Sequence, residues 1–270
     1  MAEPGAKRTA AERLLSVIGA FAHGDGALTL TEVARYAGVP ITTAHRLLRE
    51  LQDWSGVHSD EDGKYRLGNK FVELASASSR GLRLRERALP HLIELQRQSG
   101  LSVQLAAREA DHVVFLEALR TMPNFSGENR IGGRLPLHAA GTGLVLLAYA
   151  PPAFVNDYLS RPMHGYTSLT PTDPAEIRSL LDEIRNRRYA VTSRTISHEV
   201  GSVAAPVFDQ DQHVVAAVNA IFVVQHHDVQ PLIQQVLTAA NWITRSLSVP
   251  RSRPDPRTID FNRRQRISLG

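Results

Sequence analysis

Apolar side chains recur at helical spacing through the first fifty residues, in three separate runs. Leu14, Leu15, Val17, Ile18 and Phe21 form the first run. Thr9 and Glu12 stand before it at capping-box spacing and Gly24 follows it, so a helix is expected over "TAAERLLSVIGAFAHG". The second run is Leu30, Val33, Ala34 and Ala37, with Thr29 and Glu32 again at capping-box spacing and Gly38 as the stop. Ala44, Leu47, Leu48 and Leu51 form the third, at i, i+3, i+4 and i+7. Only "GVP" separates the second helix from the third. Helix, tight glycine-containing turn, helix is the helix-turn-helix layout.

Strict alternation replaces the helical period in "GVHSDEDGKYRLG". Val57 and Ser59 flank His58, Tyr65 and Leu67 flank Arg66, and an Asp-Gly pair sits between them, which predicts a β-hairpin. Three helices and a hairpin make a winged helix-turn-helix. Thr42, Thr43, Arg46 and Arg49 lie off the apolar stripe of the third helix. A solvated face is one reading of them and a surface for protein contacts is another. The position of this helix favours a third, in which these side chains meet base edges and phosphates in the major groove of DNA. Lys64 and Arg66 on the wing would then lie beside phosphates.

Residues 68–99 read as helical, first "NKFVELASASS", then a break near Gly81, then "LRLRERALPHLIELQRQSG". Arg83, Arg85 and Arg87 read as a solvated linker face, and Pro90 as a kink or a restart of the helix. "LSVQLAARE" and "HVVFLEAL" are strand-like. "GGRLPLHAAGTGLVLLAYAP" reads as a strand end passing into a helix near Ala140, and "TDPAEIRSLLDEIRNRR" as a helix capped by Asp173. "SVAAPVFDQDQHVVAAVNAIFV" reads as a hairpin and "VQPLIQQVLTAANWITRSL" as a closing amphipathic helix. The expectation is an α+β protein with a winged helix-turn-helix in residues 1–80, a second α+β domain in 81–250, and a basic disordered tail in 251–270.

Charge changes this picture only once it is located. Acidic and basic side chains balance in residues 1–80 and again in 81–250. The net +4 comes from residues 251–270, with six Arg against two Asp. Any DNA binding by the body of the protein must therefore use local charge. No cysteine is present, which excludes disulfides, thiolate metal sites and a cysteine nucleophile, and fits a cytoplasmic location. No apolar run approaches the ~20 residues of a membrane span, and the chain start has no signal-like apolar region. In "QHHD", His226 and His227 point different ways on either a strand or a helix, and no third ligand has a matching spacing, so no metal is expected. Neither a phosphate loop nor a nucleophile elbow occurs, and no cofactor is expected.

Five segments follow one another in a recognisable order: "LTLTEVARYAGVPITTAHRLLREL", "YRLG", "LPLHAAGTG", "SVAAPVFD" and "VVAAVNA". Over about residues 9–248 the chain resembles the IclR-type bacterial transcription regulators. The resemblance implies a GAF-like ligand-sensing second domain and a homodimer or dimer of dimers on a palindromic DNA operator. It also places an effector pocket at Gly141 and Thr142, where a helix start offers amide donors to a carboxylate, together with Thr192, Ser202, Asn219 and Ile221. Thr192 stands where aspartate is frequent in the family, and Asn219 and Ile221 where serine is frequent. Thr195 occupies an acidic place and Glu199 a glycine's.

With Leu135 and Phe125 as apolar lining and Arg194 nearby, the expected effector is a small organic acid with an apolar or aromatic body. Two alternatives stay open at this level: a ligand-independent DNA-binding or interaction protein, and an enzyme with an accessory winged helix. His138 reads as a buried hydrogen-bonded histidine or a pocket base.

Overall fold

The computed structural model describes residues 8–23, 26–78, 80–121, 130–225 and 228–248. They fall into two compact units divided between residues 79 and 80. Phe125, Gly24, His226, His227 and the basic tail lie outside the described residues.

The first unit begins with α1 (Ala10–Ala20), α2 (Leu30–Ala37) and α3 (Ile41–Asp53). Both capping boxes form reciprocally. The Thr9 and Thr29 hydroxyls accept the amides of Glu12 and Glu32, whose carboxylates accept the threonine amides in return. This satisfies two amides at the start of each helix, those of the capping threonine and of the glutamate three residues on. The helix α1 ends at Ala20, with Phe21 as its C-cap, several residues before Gly24. Gly38 adopts φ +62°, and its amide closes α2 onto Ala34 and Arg35; this left-handed corner turns the chain tightly into α3. Val17, Ala20, Val33, Ala37, Leu47, Leu48 and Leu51 interlock into one core. The wing is β1 (Val57–Ser59) paired antiparallel with β2 (Tyr65–Leu67). A bridge from Leu28 to Tyr65 ties it to the chain before α2. Helix α4 (Lys70–Ser78) completes the unit, with Phe71 edge-on to Trp54.

The second unit is built on a six-stranded antiparallel sheet of β3 (Ser102–Glu109), β4 (His112–Leu119), β5 (Arg134–Pro136), β6 (Ala190–Ser193), β7 (Val200–Phe208) and β8 (Val214–Val223). Their order is β5-β4-β3-β8-β7-β6. Helices α5 (Arg80–Ser99) and α9 (Val229–Ser248) cover one face through Leu92, Leu95, Val236 and Ile243, against Val103, Leu105, Val203 and Val218. The other face carries α6 (Gly141–Ala148), α7 (Pro152–Leu159) and α8 (Pro174–Arg187), packed on Ala106, Phe115, Ala204 and Ala217.

Pro90 does not restart α5, which runs unbroken from Arg80 to Ser99, and Gly81 sits inside its first turn. Tertiary packing holds this helix: Leu84, Ala88, Leu92 and Leu95 are all buried on both sides of the proline. The reading of Arg85 and Arg87 as a solvated face is also corrected. The Arg85 guanidinium pairs with the buried Glu117 carboxylate at 2.7 Å, and Arg87 donates to the Ser246 carbonyl at 3.1 Å. Of the three, only Arg83 is exposed. No helix among the described residues is long and apolar enough to cross a membrane.

Candidate functional site

On α3 the buried stripe faces inward, and Thr42, Arg46 and Arg49 are exposed on the opposite side. Thr43 is only half-exposed, because its helical position turns it toward the flank. The Arg46 guanidinium is paired with Glu50 one turn on, with both side chains more than half exposed. The N-terminus of α3 follows Pro40 and has no side-chain cap, so its first amides point outward unpaired by a cap. On the wing, Asp60 organises the hairpin. Its carboxylate accepts the Lys64 amide at 2.8 Å and the Arg66 guanidinium at 3.1 Å, and these bonds hold its pKa below the ordinary aspartate value. Lys64 lies in the turn, and Arg66 lies on β2 opposite His58.

In the second unit, the strand register sets out a polar row on the α6 face. Thr192 opposes Ser202, Ser202 opposes Ile221, and Ile221 opposes Ser102. One step along, Ala204, Asn219 and Gln104 stand side by side. Ser102, Gln104, Thr142, Thr192, Ser202 and Asn219 are all buried. Ser102 and Gln104 escaped the sequence reading, although the alternation of polar and apolar residues in "SVQL" places them on one face. Helix α6 starts directly over this row. A Cβ on Gly141 would come within 2.5 Å of Ser202 Oγ and 3.2 Å of Thr192 Oγ1, so only glycine lets the helix start approach so closely.

The polar groups divide into satisfied and unsatisfied sets. Thr192 and Ser202 are hydrogen-bonded to each other at 2.9 Å. Among the described residues, three buried side-chain atoms have no hydrogen-bond partner: Thr142 Oγ1, Arg194 Nε and Asn219 Oδ1. They come from a helix start, a loop and a central strand. Buried polar atoms are ordinarily paired, at a cost of about 1–3 kcal/mol each when they are not. Arg194 is held firmly in place. It adopts φ +59°, its amide donates to Val200 O at 2.9 Å, and its carbonyl accepts the Thr167 hydroxyl at 2.6 Å. Thr195, in the family's acidic place, donates its hydroxyl to Ala139 O at 2.8 Å, which ties the loop to the chain entering α6.

Leu135 does not join this group. It lies on β5 at the far end of the sheet, opposite Val113, inside the apolar core under α6. His138 is a structural histidine. Nδ1 meets the Tyr158 hydroxyl at 2.8 Å and Nε2 meets the His164 carbonyl at 2.9 Å, so the neutral ring donates from Nε2 and accepts at Nδ1. Burial pushes its pKa below the ordinary 6.5. The unfolded chain therefore binds this proton at a higher pH than the folded one. The associated stability is complete above pH 6.5 and declines as the pH falls below it. Thermal melting should show this acid-side loss in the wild type and a flatter profile in His138→Gln.

Asp209, Asp211 and His213 bring their ligand atoms within 4.8 Å of one another. The Asp209 carboxylate there accepts the amides of Asp211 and His213, and so closes the β7–β8 turn. Asp228 of "QHHD" accepts the Gln230 amide at the start of α9.

A chain that carries both a winged helix-turn-helix unit and a sheet-based unit with a buried, partly unpaired polar cluster defines a ligand-responsive, DNA-binding transcription regulator. The chain belongs to the IclR family. Residues 10–61 match the IclR helix-turn-helix domain and residues 76–245 match the bacterial transcriptional regulator IclR C-terminal domain. It is 30% identical over 246 residues to the HTH-type transcriptional regulator XynR of Escherichia coli, covering 88% of this chain and 97% of that protein. The transcriptional repressor IclR of E. coli is 29% identical over 211 residues, covering 77% of each chain. Among solved structures, an IclR homologue from Microbacterium hydrocarbonoxydans complexed with 4-hydroxybenzoate superposes with a TM-score of 0.81 at 33% identity. That match covers 88% of this chain and 99% of the other.

Proposed function

We propose that this protein controls transcription by reading a palindromic operator as a symmetric homodimer or dimer of dimers, without catalytic turnover, in the bacterial cytoplasm. Residues 1–80 serve as the DNA-binding domain and 81–250 as the sensor. Thr42, Arg46 and Arg49 face the bases, with Thr43 at the flank, and Lys64 and Arg66 neutralise phosphates. Mutating Lys64 or Arg66 to alanine should weaken all duplexes alike and reduce the salt slope of binding by about one unit. Titrations at several salt concentrations check this, and a selective loss at one base position would contradict it.

The effector is a small hydroxylated organic acid with an aromatic or apolar body. The observation that carries this reading is the trio of unpaired buried atoms on Thr142, Arg194 and Asn219. Arg194 Nε and the uncapped amides at Gly141 and Thr142 are donors for a carboxylate, and Asn219 Oδ1 is an acceptor that asks for a hydroxyl. Ile221 supplies apolar wall, and the Thr192–Ser202 pair supports the start of α6. The structural relative that holds 4-hydroxybenzoate makes that acid the first probe to use.

Calorimetry on the full chain should give tighter binding of 4-hydroxybenzoate than of benzoate or glyoxylate. Asn219→Leu should weaken it by about 1–3 kcal/mol, while the melting temperature of the free protein holds or rises because an unpaired buried oxygen is gone. Preference for glyoxylate, or wild-type affinity in Asn219→Leu, would overturn this reading of the pocket.

A further inference from the structure

Ile41 is the first residue of α3 and is 49% exposed, although it belongs to a helix whose other apolar side chains, Ala44, Leu47, Leu48 and Leu51, are all buried. The core of the unit does not use it. It projects from the end of the helix that opens without a side-chain cap, one residue before Thr42 and somewhat over one turn before Arg46. The exposed groups nearest to it along the helix are Thr42, His45 and Arg46, a polar and basic set suited to DNA and unsuited to an apolar protein partner. The edges of the bases in the major groove are hydrogen-bonding groups with one exception, the 5-methyl group of thymine. An exposed β-branched side chain at the tip of a reading helix has little rotamer freedom to lose and can gain from burial only against that methyl.

We propose that Ile41 is a specificity-determining residue that reads a thymine methyl in each operator half-site. This rests on the DNA-binding reading of α3. Arg46 and Arg49 supply charge and hydrogen bonds from the face opposite the buried stripe, and Ile41 adds an exposed apolar side chain at the N-terminal end, on the edge of that stripe three residues before Ala44. The contact discriminates thymine from cytosine, which lacks the methyl, without any hydrogen bond from this residue.

The test uses the full chain and the tightest duplex recovered from a randomised 30-base-pair pool. Each thymine in that duplex is replaced in turn by deoxyuridine, which removes only the methyl group. One position per half-site should weaken wild-type binding about fourfold, the factor for burying one methyl-sized group. Ile41→Ala, which loses the contact in both half-sites, should bind the thymine duplex about as weakly as the wild type binds a duplex with deoxyuridine at that position in both half-sites, and should be insensitive to the replacement. Ile41→Val should keep the sensitivity. Ile41 is exposed at the helix start, so the alanine variant leaves the core untouched, and an unchanged melting temperature verifies this. If the wild type binds a selected duplex and no deoxyuridine position weakens it, or if Ile41→Ala remains as sensitive as the wild type, the assignment to Ile41 is wrong. If no duplex is selected at all, the DNA-binding reading itself fails, and this proposal with it.

Discussion

Arg85→Met will destabilise the second unit by about 3 kcal/mol, the largest effect expected of any single substitution at a half-exposed position in this protein. The reason lies in its partner. Glu117 is on β4, only 3% exposed, and its carboxylate faces α5. Oε2 meets Arg85 Nη2 at 2.7 Å, and Oε1 accepts the Ala118 amide at 2.9 Å. Removing the guanidinium leaves a buried carboxylate with one neutral donor, and an uncompensated buried charge is far more costly than the loss of an exposed ion pair. Arg85 itself is 38% exposed, so water relieves part of the cost and the loss lies at the lower end of the range for buried pairs. For a unit of this size, about 3 kcal/mol corresponds to a melting temperature lower by roughly 6–12 °C. The double variant Arg85→Met/Glu117→Leu should recover most of the loss, because no charge is then stranded. Chemical denaturation of the three proteins measures this. A single variant as stable as wild type would show that Glu117 finds water in place of its partner.

Arg46→Ala should weaken operator binding by about 1–3 kcal/mol per subunit, which is a five- to 150-fold loss, with the fold unaffected. The side chain is 59% exposed and lies opposite Leu47 and Leu48, so truncation opens no cavity in the core. Its only partner among the described residues is Glu50, and an exposed pair of this spacing contributes a few tenths of a kcal/mol to stability. In the free protein that pair also holds the guanidinium against the helix. Glu50→Ala should therefore leave DNA affinity equal or higher, since it frees the cation that DNA must otherwise compete for. Fluorescence anisotropy with a selected duplex, alongside thermal melting, separates binding from folding. Undiminished affinity in Arg46→Ala would remove α3 from the reading position.

Where folding is governed by residues a few positions apart, the sequence alone determined the outcome. The capping boxes Thr9–Glu12 and Thr29–Glu32 close over three residues, and the Gly38 corner and the Asp60 turn of the wing are equally local, so helices, turn and hairpin were all legible before any packing was known. The longer strands β3, β4, β7 and β8 were legible as strand-like or apolar runs for the same reason. Tertiary structure decided what depends on distant partners. Pro90 is a helix breaker by local rules, yet α5 continues through it because Leu84, Leu92 and Leu95 are buried against the sheet on either side. Arg85 belongs to a basic run that reads as solvated, and only the position of β4 reveals its buried partner. The short edge strand β6 and helix α7 carry too few residues for a distinct period, and pairing with β7 and packing on α6 fix them. The proposed effector-binding residues are the furthest from local logic. Thr142, Arg194 and Asn219 are separated by up to 77 positions, and each is individually an ordinary polar residue. The sheet register sets Asn219 on central strand β8 and leaves Arg194 just past the end of edge strand β6, and the same register sends Leu135 to the opposite edge.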